Sequence, residues 1–412
     1  MNRMNVIISA SEEYSKYSVV MLLSLFRAEK DTRVTVYYFY NDPIDKILEY
    51  IERIADTYGN KIIPMQVNDN MIGSIPNIGV WNNSTVYRWL CLDLLPKEVD
   101  RAIVLGIDTL YLGSIKEFYN QEFDDSWFIM CNDMCTLELG PDRMPQVFEG
   151  GKQWGINPYE RYCNADVVLL NLKELRKNIS YKDIISNLNK FNFKYLDQDV
   201  LNFLYNDHIK IDDYLLYNFM PNVKSKSITY EKAIENVKIM HYTMEKPWNS
   251  FEESVAVTLW QSVAKETKYY SEWLERNIVI QKKKVNKFRE YYKCLDYWLE
   301  LKEKGLELRK EFSRRSINSI AIYGNGVLCD HLITELENTD IAIQYIIDRG
   351  HGKEYRGITV LNEYNLSPID AVIVTPLFDF DAIKKNINEK SNVNVLSLFD
   401  LIESNLEFSK AI

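Results

Sequence analysis

The stretch "RAIVLGID", residues 101–108, reads as a short buried strand that stops at an acid. Ala102, Ile103, Val104 and Leu105 form an unbroken apolar run, as in a strand covered on both faces. Polar residues then end it and leave Asp108, with Ile107 beside it, at the carboxyl end. In covered parallel sheets, ligands sit beyond the carboxyl ends of the strands. The fold therefore turns on whether similar runs recur in alternation with helices.

They do, from residue 4 to about 249. "MNVIISA" (4–10), "VTVYYFY" (34–40), "ADVVLLNL" (165–172) and "IMHYTM" (239–244) have strand character, and "YSVVMLLSLFRAE" (17–29) has helical spacing. Alternation of this kind predicts an α/β domain with a mainly parallel sheet covered on both faces, over residues 1–249. Residues 250–316 lose the strand signal and predict a helical connector of two or three helices. Its stripe of Trp273, Phe288, Tyr291, Tyr292, Leu295 and Trp298 is expected to pack on both neighbours, and its basic cluster (Lys282, Lys283, Lys284, Lys287, Arg289) to be a solvated face. Residues 317–412 return to alternation: "INSIAIYGNGVLCDHLITEL", "IAIQYIID", "DAVIVTP" and "VNVLSLFDL" predict a small Rossmann-like α/β domain. Gly324 and Gly326 occupy its first turn, and Asp348 ends its second strand, near where a ribose-binding acid belongs.

The chain has 412 residues, 46% of them hydrophobic, which is a globular composition with room for two or three domains. A net charge of -10 argues against nucleic-acid binding through a broad basic face. No apolar run approaches the roughly 20 residues that span a bilayer, and "MNRMNVIISASEEY" turns polar too early for a secretory signal. The 6 Cys include no CxxC pair, and no His lies near Cys131 and Cys135. Reduced, partly buried thiols and a cytoplasmic location are expected.

Inspection of the strand ends yields a set of candidate residues. Ser9, Ala10, Ser11 and Tyr14 follow the first strand, and the small ones leave room for a flat ring against the backbone. Asp108 ends the strand at 101–105, Asn164 precedes another, and "YLDQDVLN" (195–202) crowds Asp197, Gln198 and Asp199 together. "HYTMEKPW" adds His241, Lys246 and Trp248. Carboxylate and imidazole suit a divalent cation such as Mn²⁺. A cation and a lysine neutralise a diphosphate, and amides with carboxylates grip sugar hydroxyls. Together these residues suggest a nucleotide-sugar site.

The pieces "IISASEEY", "STVYRWLCLDLLP", "RAIVLGIDTLYLGSI", "YCNADVVLLNLKELR", "YLDQDVLN", "YNFMPN" and "IMHYTMEKPW" occur in the order found in glycosyltransferase family 8. The first part of the chain thus resembles those retaining transferases, which include glycogenin and bacterial lipooligosaccharide galactosyltransferases. The resemblance implies a GT-A fold and a UDP-sugar donor. It assigns Ser9, Ala10 and Ser11 to the uridine loop and Arg88 to the diphosphate and donor sugar. Asp108 and His241 become metal ligands, and Lys246 the diphosphate lysine. Asp133, Asn164, Asp197 and Gln198 fall around the transferred sugar.

This sequence departs from the family pattern in three places. Gly106 stands where the first acid of the metal-binding Asp-x-Asp motif belongs, so Mn²⁺ binding is expected to weaken unless water or another acid substitutes. "HYTMEKPW" has no Gly and is one residue short, which alters the approach of Lys246. Ser11 stands where family members often have an acid.

The implied activity is transfer of a hexose, galactose or glucose, from UDP to a glycan or glycosylated protein. No residue looks like a glycosyl nucleophile, so a front-face displacement is expected, with Asp197 and Gln198 at the reacting centre. A self-glucosylating glycogenin-like enzyme is the second enzymatic reading. A silent UDP-sugar-binding scaffold for a partner transferase is the rival from another class, and homo-oligomerisation is left open. Residues 136–160 read as a lid over the donor.

Overall fold

The structure is a computed structural model that describes residues 3–73, 83–140, 148–149, 152–153, 159–191, 193–226, 228–250, 254–348, 354–361 and 369–410. Two compact units divide the chain, Met1–Asn277 and Ile278–Ile412.

In the first unit the strands are β1 (Arg3–Ser9), β2 (Arg33–Tyr40), β3 (Lys61–Gln66), β4 (Arg101–Leu105), β5 (Thr109–Tyr111), β6 (Phe128–Asn132), β7 (Phe148–Glu149), β8 (Lys152–Gln153), β9 (Cys163–Asn171), β10 (Ile209–Asp212) and β11 (Ile239–His241). Seven of them form one sheet in the order β10-β6-β9-β4-β1-β2-β3. Alternate residues feed opposite cores, as the twofold strand period requires. Val6, Ile8, Ile103, Leu105 and Val167 pack with the helices Ser18–Ala28 and Asp45–Thr57. Ile7, Val104 and Val168 pack on the other side with Trp89, Leu172 and Val200.

The α/β sheet covered on both faces is therefore present, and it is parallel from β4 through β1 and β2 to β3. β9 is the exception: it runs antiparallel to both β4 and β6. Its amino end thus meets the carboxyl ends of its neighbours. A separate antiparallel pair, β5 with β11, sets His241 opposite Thr109.

At the expected lid, the helix Met134–Leu139 runs into its start and β7 pairs antiparallel with β8. Residues 141–147, 150–151 and 154–158 of that segment lie outside the described residues.

Residues 254–314 contain the helices Val255–Ala264, Tyr270–Glu303 and Leu308–Arg314, and the boundary between the units falls inside the second. The aromatic stripe does not pack as a whole. Trp273 and Trp298 are buried, but Phe288 is 73% and Tyr292 69% exposed. The reason is helical geometry: Phe288, Tyr292, Leu295 and Leu299 recur at three- and four-residue steps on one face, while Cys294, Trp298 and Leu301 turn into the core of the second unit. The basic cluster is exposed, as expected.

The second unit carries β12 (Ser319–Tyr323), β13 (Ala342–Ile347), β14 (Glu354–Tyr355), β15 (Ile358–Leu361), β16 (Ala371–Val374) and β17 (Asn394–Ser397). They form a sheet in the order β14-β15-β13-β12-β16-β17, parallel except for the β14–β15 pair. Gly324 turns the chain after β12 with φ +96°, and a Cβ there would lie 2.8 Å from Pro376 and from Thr375 Oγ1. Asp348 accepts the Asn325 backbone N–H at 2.9 Å and so closes this turn from the end of β13.

Candidate active site

A cavity of about 480 Å³ opens at the carboxyl end of β4. Ser9, Tyr14, Arg88, Ile107, Asp108, Asp133, Asn164, Asp197, Gln198, His241 and Lys246 line it, so residues chosen from seven scattered stretches of sequence converge on one space. Ala10 and Ser11 do not line it. They are buried in the turn between β1 and the helix Glu12–Ser15, where the Tyr14 and Ser15 N–H groups donate to the Ser11 carbonyl.

One end of the cavity gathers charge. Asp108 leaves β4 beside His241, because the Tyr242 N–H donates to the Asp108 carbonyl at 2.9 Å and β5 pairs with β11. His241 is fully buried. Its Nδ1 lies 2.8 Å from Asn218 Oδ1, and the Asn218 amide nitrogen donates to the Asn132 carbonyl. That orientation makes Nδ1 the protonated nitrogen and leaves Nε2 facing the cavity. Asp108 Oδ1 lies 3.3 Å from Nε2, and Asp166 Oδ2 lies 3.5 Å from it. Lys246 Nζ holds the other Asp108 oxygen at 2.5 Å.

Burial works against the Asp108 charge, but Lys246 and His241 outweigh it and hold the carboxyl well below the usual range. Burial likewise opposes the His241 imidazolium, yet Asp108 and Asp166 raise its pKa above the ordinary value. Asp108, Asp166 and His241 offer ligand atoms all within 4.8 Å of one another, a mixed oxygen–nitrogen set that suits a divalent cation.

Asp166 was not among the residues singled out from sequence. It sits in the "ADVV" run, where an acid looks like one exposed position of a strand. The usable signal was the charge itself, flanked by Val167, Val168 and Leu169, all buried. Asn218 was missed as well. It is fully buried, within the quoted "YNFMPN" stretch, and it orients His241.

The other end gathers amides. Gln198 Oε1 accepts from Asn164 Nδ2 at 3.0 Å and from the Ala165 N–H at 3.2 Å. Gln198 Nε2 donates to the Tyr162 hydroxyl at 3.2 Å and to Asp133 Oδ2 at 3.4 Å. Asp133 also caps the helix Met134–Leu139 through the Thr136 N–H. Asp199 is fully buried and accepts the Tyr162 hydroxyl and the Lys194 and Tyr195 N–H groups. Burial and Asp199 push the Tyr162 phenol well above its ordinary value, so it stays a donor.

The two acids of "DQD" therefore have different duties. Asp199 ties the loop down, Asp197 holds Arg88 and Trp89, and Gln198 between them is fixed in the cavity wall. Leu196, in the left-handed region at φ +50°, starts this helix (Asp197–Leu204).

Residues 5–252 match the family described as glycosyl transferase family 8. A lipopolysaccharide 1,2-glucosyltransferase of Escherichia coli is 26% identical over 308 residues, covering 71% of this chain and 86% of that protein. Among solved structures, the galactosyltransferase LgtC in complex with donor and acceptor sugar analogues shares 20% identity with a TM-score of 0.51, over 64% of this chain and 96% of that one. The bifunctional glycosyltransferase WbbM shares 16% identity with a TM-score of 0.57, over 67% of this chain and 52% of that one. The likeness to these two is one of fold: the first unit has the GT-A architecture. Among the described residues no helix is long and apolar enough to cross a membrane. With the family's pattern matched over more than half its length, the chain belongs to glycosyl transferase family 8.

Proposed function

We propose that the protein is a retaining hexosyltransferase that moves glucose or galactose from a UDP-sugar to a glycan or glycosylated-protein acceptor in the cytoplasm. One observation carries this reading. A cation-binding corner with a lysine and a wall of fixed amides share a single cavity, with Arg88 between them. The corner suits a diphosphate and the wall suits a hexose. The name of the Escherichia coli relative favours glucose as the first donor to try.

A bound divalent cation would neutralise the diphosphate as the leaving group accumulates charge. Asp108 and His241 fit that group, and Lys246 lies at hand for the phosphates once it releases Asp108. Ser9 and Tyr14 would wall the uridine end. Asp133, Asn164 and Gln198 would orient the sugar hydroxyls and keep water out.

Asp197 is a poor nucleophile here. It is 1% exposed, and one of its oxygens already accepts from Arg88 and Trp89. That supports front-face displacement. The acceptor oxygen forms the new bond to the anomeric carbon as the bond to UDP breaks on the same face. The acceptor's proton passes to the departing diphosphate oxygen.

The division into a GT-A domain (1–249), a helical connector (250–316) and a Rossmann-like domain (317–412) belongs to this proposal. So does a docking, dimerisation or packing role for the last.

UDP release from a panel of UDP-sugars, with Mn²⁺ and with chelator, tests the reading. Slow hydrolysis of one UDP-hexose that needs the metal is expected. UDP binding without release from any donor, with glycan acceptors supplied, would favour a silent scaffold instead.

A further inference from the structure

Positions 106 and 166 face each other across β4 and β9. Leu105 pairs with Val167, and the Gly106 N–H donates to the Asp166 carbonyl at 2.8 Å. A Cβ added to Gly106 would lie 2.8 Å from Asp166 Cβ, 3.0 Å from Asp166 Cγ and 2.9 Å from Asp108 Oδ1. Gly106 is not in the left-handed region, so its backbone accepts other residues. The atoms nearest to such a Cβ all belong to the Asp166 and Asp108 side chains.

We propose that Asp166 has taken over the metal-binding duty of the acid missing at position 106, so that Asp108, Asp166 and His241 together hold a divalent cation. The inference rests on the functional reading above for the cation's purpose. It goes beyond that reading in assigning a ligand from a different strand.

The arrangement of oxygens supports it. Each carboxylate has one oxygen held by a protein cation: Asp108 Oδ2 by Lys246 at 2.5 Å, and Asp166 Oδ1 by Arg88 at 2.6 Å. The remaining oxygens, Asp108 Oδ1 and Asp166 Oδ2, both turn toward His241 Nε2. Nε2 is buried and has no well-aligned hydrogen-bond partner among the described residues, while Nδ1–H is committed to Asn218. One oxygen from each carboxylate and the Nε2 atom thus converge on one small space, all within 4.8 Å of one another. Such a mixed oxygen–nitrogen set suits a divalent cation, which would take the place of a proton on Nε2. Arg88 and Lys246 keep the ligand oxygens pointed inward, as outer partners of metal ligands do.

An acid at 106 and an acid at 166 are thus alternatives that fill one position. The test is Mn²⁺ binding to the full-length chain, read by loss of the free-ion electron paramagnetic resonance signal, with and without UDP. UDP binding is measured separately by calorimetry. The variants are Asp166→Asn, Gly106→Asp and the double exchange Gly106→Asp/Asp166→Gly.

Asp166→Asn should keep a partner for Arg88 and lower Mn²⁺ affinity by about tenfold or more. Gly106→Asp alone should also weaken binding, since two side chains meet in one space. The double exchange should bring Mn²⁺ affinity back toward the wild type. A role for Asp166 limited to pairing with Arg88 predicts no such rescue, because the exchange does not restore that pair.

Wild-type Mn²⁺ affinity in Asp166→Asn, no recovery in the double exchange, or no Mn²⁺ binding by the natural chain would each overturn the proposal. Failure of the broader reading shows separately, as absence of UDP binding. Mn²⁺ titrated alone still reports on Asp166 in that case.

Discussion

Arg88 grips a single oxygen of Asp197 with two nitrogens, Nε at 2.9 Å and Nη2 at 2.8 Å, and Trp89 Nε1 adds a third donor at 2.6 Å. Both side chains are almost wholly buried. Burial disfavours the Arg88 charge, but Asp197 and Asp166 outweigh it and raise its pKa. Cutting Arg88 to Ala strands two acids in the cavity wall. The expected cost is about 3–5 kcal/mol of stability. Arg88→Lys should fall between, because an ammonium cannot reproduce the fork. Urea denaturation of both variants checks this. Equal stability for Arg88→Ala would mean the pair contributes nothing net.

Gln198 is held by four partners, and its oxygen is aimed by Asn164 and Ala165. Gln198→Glu places a carboxylate beside Asp133 Oδ2, where the amide now donates at 3.4 Å. If this wall orients the sugar, UDP affinity should hold while UDP release from the donor falls by roughly 10²-fold. An equal loss in UDP affinity would move Gln198 away from the sugar.

Lys246 lies on Asp108 and on the Tyr242 and Thr243 carbonyls. Lys246→Ala removes a cation that a diphosphate needs and a competitor for Asp108. UDP binding should weaken by about 1.5–3 kcal/mol, the range for hydrogen bonds to a charged group. Mn²⁺ binding without UDP should not weaken. Calorimetry separates the two effects, and loss of both would show that Lys246 builds the corner rather than serving the nucleotide.

No disulfide joins any of the six cysteines. Burial pushes the Cys91, Cys163, Cys294 and Cys329 thiols up to about 12, and Cys131 well above its ordinary value. At pH 8 these five are protonated and enclosed, hence slow to react. Cys135 is half-buried and lines the cavity. A native titration with a thiol reagent should modify Cys135 first, and UDP-sugar should slow that reaction. Fast modification of several thiols would contradict the packing.

The two glycines of the β12 turn should behave differently. Gly324→Ala meets both the left-handed backbone and the 2.8 Å approach of Pro376, and should cost about 1–3 kcal/mol. Gly326 has extended φ, and among the described residues nothing lies within 4 Å of its missing Cβ. Gly326→Ala should be nearly neutral in a thermal melt, and a large loss there would point to a ligand at the turn.

Most of the first unit was legible because its strands are buried on both faces and read as unbroken apolar runs. The ends of those runs located Asp108, Asn164 and His241. What stayed hidden were relations across the sheet. Nothing within "ADVVLLNL" says that β9 runs against β4, nor that Asp166 lies opposite Gly106; pairing register is set by the whole sheet. The exposed face of the helix Tyr270–Glu303 was misjudged for a related reason. Apolar spacing marks a face, but it does not say whether a partner covers it.

The reversal of β9 bears on how such chains are found. A search that asks for two acids within three consecutive residues passes over "GID" and scores the site as broken. The same chemistry can be spelled by one residue on each of two neighbouring strands, far apart in the chain and adjacent in the sheet. Here the meaningful word is a pair of facing positions, and a reader that scans one strand at a time sees half of it.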